Sequence, residues 1–280
     1  MVILCISSFS LSACAQEAGL NFRSLEIRLI NDHGEKYQPS QIRNLLENSG
    51  VEFEVKTVAS YFQHKEAKLN YDQFLSPESI EKAQKYINDH KATLDKTEQE
   101  YGVDKNVITA IMLVETRLGK NVGSSSVLGV LSTMAALEDP DIRELFWNQI
   151  PKDNRISKEE YEIKAPQKAK WAYNELKAFI KYIEREGLDP YSIYGSYAGA
   201  MGLAQFMPSN ILMLAKDGDQ DGHINLFNHE DAIVSIANYL KHYGWKPGIT
   251  QEDAYEVIYH YNHSKYYVDT ILKISEKLKG

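Results

Sequence analysis

A glutamate interrupts an apolar face in DKNVITAIMLVETRLG, residues 104–119. At about 100° per residue, Val107, Ile108, Ile111, Met112, Val114 and Leu118 form one broad stripe of an amphipathic helix. Glu115 falls inside that stripe. A carboxylate among apolar side chains loses solvation, which favours its neutral form. A neutral carboxylic acid is what general-acid catalysis needs. Two other roles fit the same position: partner of a buried Arg or Lys, or a group exposed where the helix frays before Gly119. The helix alone does not choose among the three.

A second stretch, GSYAGAMGLAQFMPSN at residues 195–210, is too rich in small residues for an ordinary amphipathic helix and too apolar for a solvated loop. Gly199 and Gly202 suggest backbone brought close to a bulky ligand. Gln205 offers a donor and an acceptor together. A third stretch, from Asp217 to Asn225, has the spacing of a calcium loop of the EF-hand kind. Carboxylates stand at positions 1, 3 and 5 (Asp217, Asp219 and Asp221), with Gly222 at 6, the His223 carbonyl at 7 and Ile224 at 8. Position 12 departs from the pattern, since Asn228 replaces the usual Glu.

Taken together, GAMGLAQFMP and VETRLG resemble the lytic murein transglycosylases, in particular the B-type family and its soluble fragment. The resemblance runs in consistent order from about Tyr71 to Lys277. It takes in YGVDKNVITAIMLVETRLG, GSYAGAMGLAQFMPS, DGDQDGHINLFNHEDAI, ANYLKHYGW and YNHSKYYV. It implies a lysozyme-like helical core and makes Glu115 the single catalytic acid and base. It implies saccharide contacts at Ser196, Gln205, Tyr239, Tyr261, Asn262 and Tyr267. It makes Asp231 the last carboxylate of the metal loop, beside Asp217, Asp219, Asp221 and the His223 carbonyl. The expected cofactor is structural Ca²⁺, with no organic cofactor. The implied reaction cleaves the bond between N-acetylmuramic acid and N-acetylglucosamine and leaves a 1,6-anhydro end without consuming water. A lysozyme-type hydrolase and an inactive calcium-stapled binding protein are the alternatives.

Composition narrows the partners. The 280-residue chain carries a net charge of −8, a poor match to phosphate backbones, so no nucleic acid partner is expected. Its 18 tyrosines fit a carbohydrate cleft, because tyrosine joins a flat apolar face to a polar tip, although tyrosine can be abundant for other reasons. Both cysteines lie at the N-terminus, where LSAC at residues 11–14 resembles a bacterial lipobox. Cys14 is thus the expected lipidation site, placing a monomer on the periplasmic face of the outer membrane. A plain secretory signal cut after Ala15 is the competing interpretation.

The positioning elements are mainly helical, with a small N-terminal α/β addition. Residues 1–14 are expected to be a signal segment, 15–60 a tether and the addition, and 61–280 the transglycosylase domain. Alternating apolar residues predict strands at 25–30 and 51–55 around a helix at 40–48. Ser76-Pro77 predicts a long helix to Tyr101, and Asp104 caps one ending at Gly119. Further helices are predicted over 167–186 and 229–243, then from Thr250 to the C-terminus with a break near residues 262–264.

Overall fold

The computed structural model describes residues 19–33, 37–48, 50–64 and 69–280. Cys14 lies outside the described residues. Thirteen α-helices follow one another among them. The first three are α1 (Arg23–His33), α2 (Pro39–Glu47) and α3 (Val55–Gln63). Then come α4 (Pro77–Asp89), α5 (Lys91–Tyr101), α6 (Lys105–Thr116), α7 (Val127–Ala136), α8 (Pro140–Gln149) and α9 (Lys158–Glu186). The last four are α10 (Pro208–Leu214), α11 (His229–His242), α12 (Gln251–Tyr261) and α13 (Lys265–Lys279). A two-stranded antiparallel ribbon pairs β1 (Ser125–Ser126) with β2 (Tyr194–Gly195).

At the centre lies α7, buried on every side, as its sequence VLGVLSTMAA requires of a helix with no polar face. It packs along α9, a helix about 43 Å long at 1.5 Å per residue. Elsewhere α13 packs on α6 and α4. Residues from α1 to α13 share one hydrophobic core.

The expected N-terminal strands are not there. Residues 23–33 are helix, and 51–54 have no regular structure before α3 begins. Phe22, Leu25 and Leu29 are buried while Ile27 is 51% exposed, so the apolar set follows helical rather than alternating spacing. The addition is helical, and α1 and α3 pack against α7. Residue 60, the expected domain boundary, falls within α3.

Helix caps read from sequence are present. Ser76, Asp104 and Thr250 each accept a backbone N–H from the first turn of the helix they precede. Some helix limits differ from the sequence expectation. The long helix after Ser76 breaks at His90, which leaves helical geometry and lays its ring 4.5 Å from that of His229 and 4.3 Å from Tyr86. Helix α9 begins at Lys158 and runs through Pro166, which costs one i→i−4 bond.

Candidate active site

Helix α6 ends at Thr116, one turn earlier than the glycine at 119 predicts. Arg117 and Leu118 both take left-handed backbone, with φ of 51° and 62°. Their amides close the helix, Arg117 N–H donating to Leu113 O (3.0 Å) and Leu118 N–H to Met112 O (3.0 Å). Glu115 therefore sits in the last turn, where carbonyl oxygens concentrate negative partial charge. It is half-buried, and its Oε1 accepts the Tyr267 hydroxyl at 2.7 Å.

Tyr267, which the resemblance implied as a saccharide contact, is 1% exposed, and its hydroxyl is turned to Glu115. Burial, then the charge of Glu115, holds its hydroxyl well above the usual tyrosine range. It thus stays a donor, fixing one oxygen of Glu115. Tyr261, whose ring stacks near-parallel to that of Tyr267 at 6.3 Å, donates its hydroxyl to Ala204 O (2.6 Å). It too is pushed well up, by burial first and by Glu115 second. Tyr239 is 4% exposed and donates to His260 O (2.7 Å), so its hydroxyl is spent inside the protein. Its ring supports Tyr261 at 4.8 Å and Phe206 at 5.4 Å. Asn262 ends α12 and is half-buried beside this group.

The stretch from Gly195 to Phe206 folds back on itself, Gly195 bridging Met201 and Met201 bridging Phe206. Ser196 Oγ accepts the N–H groups of Ala198 (3.2 Å) and Ala200 (3.0 Å), which leaves its proton to donate outward. Gln205 is held in left-handed backbone at φ 47°. Its Nε2 donates to Gly202 O (2.8 Å) and Val122 O (3.2 Å), so its Oε1 is the atom it offers a ligand. Thr116 ties this stretch to the end of α6: its hydroxyl donates to Leu203 O (3.1 Å) and accepts from Gly119 N (3.0 Å).

The space beside the glycines is filled by protein, not left for a ligand. A Cβ on Gly199 would meet Leu131 at 2.8 Å, and one on Gly202 would meet Leu226 at 2.4 Å. Both glycines also have positive φ, 88° and 73°. Their role is to let this stretch pack on α7 and on the segment after the acidic loop.

In that loop, Asp217, Asp219 and Asp231 each bring an oxygen within 4.8 Å of the others. Asp221 is not part of the trio; its carboxylate accepts the His223 N–H at 2.8 Å. The His223 imidazole lies 3.4 Å from Glu186. Asn228 caps α11 through Glu230 N (2.8 Å) and donates to Asp219 (2.6 Å). Asp231 is buried and accepts from Gly218 N (2.7 Å) and Asn225 N (2.6 Å). Burial raises its carboxyl above the usual range, the charge of Asp219 adds to this, and the backbone donors oppose it. Three hard oxygens gathered against their own repulsion suit a hard divalent cation such as Ca²⁺.

Residues 31–252 match the family model described as the transglycosylase SLT domain. The chain belongs to this family. It is 33% identical over 175 residues to the membrane-bound lytic murein transglycosylase B of Escherichia coli strain K12. That match covers 62% of this chain and 41% of that protein. The fold matches the crystal structure of the soluble lytic transglycosylase SltB1 from Pseudomonas aeruginosa, with TM-score 0.74 and 24% identity. Coverage is 92% of this chain and 97% of that one. It also matches the Escherichia coli lytic transglycosylase Slt35 in complex with calcium, with TM-score 0.72, 24% identity and 93% coverage of both chains.

Two positioning residues carried no sequence signal strong enough to single them out. Thr116 looks like any helical threonine until its partner 87 positions away is known. Glu175, buried at 6% exposure in α9, accepts both the amide (2.9 Å) and the hydroxyl (2.8 Å) of Ser209. It thereby fixes the start of α10 directly after the glutamine loop.

Filled glycine space predicts how Gly202→Ala behaves. Overpacking costs about 1–3 kcal/mol, and left-handed backbone adds roughly 1–2 kcal/mol for a residue with a Cβ. The melting temperature should fall clearly in the absence of any ligand. A variant as stable as wild type, impaired only in binding, would return that space to the ligand.

Proposed function

We propose that this chain is a lytic transglycosylase of peptidoglycan, with Glu115 as its only acid–base group. The observation that carries this is the Glu115 carboxylate, half-buried at the end of α6 with one oxygen held by Tyr267. Membership of the SLT family supports it.

Tyr267 holds one oxygen of Glu115 in a fixed place. Fixed placement suits a group that must give and then take a proton in one turnover. Glu115 first gives its proton to the glycosidic oxygen between N-acetylmuramic acid and N-acetylglucosamine. The C1–O4 bond breaks, and the substrate's acetamido oxygen stabilises the developing cation. The carboxylate then takes the proton of the muramic 6-hydroxyl, and O6 bonds to C1. The acid is regenerated, and the product is a 1,6-anhydro end. Ser196 donates and Gln205 Oε1 accepts to orient the strand.

Asp217, Asp219 and Asp231 are the proposed Ca²⁺ ligands, with the His223 carbonyl completing the loop. The calcium complex of Slt35 supports this choice of ion. The ion's role is structural, because the loop reaches the cleft through packing: Leu203 N donates to Leu226 O at 2.7 Å, and Leu226 lies against Gly202. Cys14 is proposed as the lipid anchor to the periplasmic face of the outer membrane.

Glu115→Gln keeps the shape and removes the transferable proton. Muropeptide release from purified peptidoglycan should fall by at least the roughly 10²–10⁴-fold that one general acid–base function contributes. The variant should stay folded and still bind glycan. Activity within tenfold of wild type would remove Glu115 from this role.

Calcium is checked separately. A ligand bound only by the folded state raises its stability. Added millimolar calcium should raise the wild-type melting temperature, and Asp219→Ala should abolish the rise. Identical wild-type curves in chelator and in calcium would count against the site.

A further inference from the structure

Three aromatic side chains from distant parts of the chain meet at the surface beside Ser196. Tyr61 comes from α3, Trp171 from α9, and Tyr197 from the turn that Ser196 braces. The Tyr61 and Trp171 rings are 3° from parallel with centroids 6.2 Å apart. Tyr197 lies 6.1 Å from Tyr61, and the exposed His64 lies 5.3 Å from Tyr197. The Lys168 ammonium stands over both members of the parallel pair, 5.2 Å from the Tyr61 centroid and 5.6 Å from that of Trp171.

This cluster is distinct from the core beneath it. Phe62 and Tyr161 form an inner aromatic layer, edge to face at 5.4 Å and buried. The outer layer keeps surface open to solvent: Tyr197 is 36% exposed, and Tyr61, Trp171 and Lys168 are half-buried. Core packing accounts for the inner layer but leaves unexplained why polar-tipped rings and a lysine gather outside it. The place of Tyr197 is well determined, because Ser196 N donates to Ala200 O (2.8 Å) and Gly199 is seated on Leu131.

We propose that Tyr61, Trp171, Tyr197 and Lys168 form an outer subsite for a pyranose carrying an acidic substituent. This rests on the function proposed above. The occupant is the stretch of the same glycan strand that continues past Ser196. Aromatic faces suit the apolar C–H faces of a sugar ring. The ammonium, on a protein of net charge −8, suits the carboxylates of the peptide stem borne by muramic acid. Continuity gives the direction, since Tyr197 follows Ser196 directly in the chain. The subsite would favour long, peptide-bearing strands over short ones.

The test compares kcat/KM on long peptidoglycan strands with that on a tetrasaccharide of two repeats. Tyr197→Ala should lower the long-to-short ratio by about five- to tenfold, mainly through KM on the long strands, with an unchanged melting temperature. Tyr197→Phe, which keeps the ring face, should retain the wild-type ratio. Lys168→Ala should weaken action on peptide-bearing strands more than on strands stripped of peptide by an amidase. An unchanged ratio for Tyr197→Ala in an active enzyme would overturn the subsite while leaving the proposed function standing. Wild-type protein that releases nothing from either substrate would remove the proposed function, and the subsite with it.

Discussion

The hydrogen bond from Tyr267 to Glu115 joins residues 152 positions apart, and the site is organised around it. Hydrogen bonds to charged groups contribute about 1.5–3 kcal/mol, enough to hold one carboxylate oxygen in a fixed place. The bond requires α13 to lie along α6, which their packing provides. It also requires a tyrosine that stays protonated. Burial at 1% exposure secures that. On the proposed mechanism a single carboxylate acts as acid and then as base with no second group to correct its position, so its placement falls to the scaffold.

The rest of the cleft is joined to that bond by short links. Tyr261, stacked on Tyr267, holds Ala204 O, and Thr116, next to Glu115, holds Leu203 O. Gln205 follows immediately and is strained into left-handed backbone between these anchors. Leu203 is bonded in turn to Leu226, and Asp231, in the first turn of α11, holds Asn225 of the acidic loop. Glu175 fixes the far end at Ser209. The acidic loop is therefore mechanically continuous with the segment that carries Gln205, although none of the hydrogen bonds described for it reaches Glu115.

Much of this was legible in the sequence where local rules decide. Asp104, Ser76 and Thr250 sit where capping chemistry needs them. Glu115 stood out because it breaks a periodic apolar face. Asp217 and Asp219 were visible in their spacing and Asp231 through the resemblance, whereas Asp221, read from the same spacing, turns to its own backbone. What failed was tertiary. Leu25, Ile27 and Leu29 fit a strand as well as a helix, and only burial of Leu25 and Leu29 without Ile27 separates the two. The helix breaks at His90, whose ring packs on His229, a contact that no local rule contains. Where Tyr239 and Tyr267 send their hydroxyls, to His260 O and to Glu115, is likewise set by tertiary packing that no local rule contains. The glycines pointed to a close approach correctly, but the partner was Leu131 and Leu226 rather than a ligand.

The central claim is that Glu115 works without water as a reactant, the proton and the closing oxygen both coming from the substrate. Mass spectrometry of glycan ends, after digestion by the wild-type protein in water enriched in the heavy oxygen isotope, tests this directly. Anhydro-muramoyl ends, one water lighter than reducing ends and free of heavy oxygen, are the predicted result. Reducing ends carrying the heavy isotope would contradict it and make the protein a hydrolase.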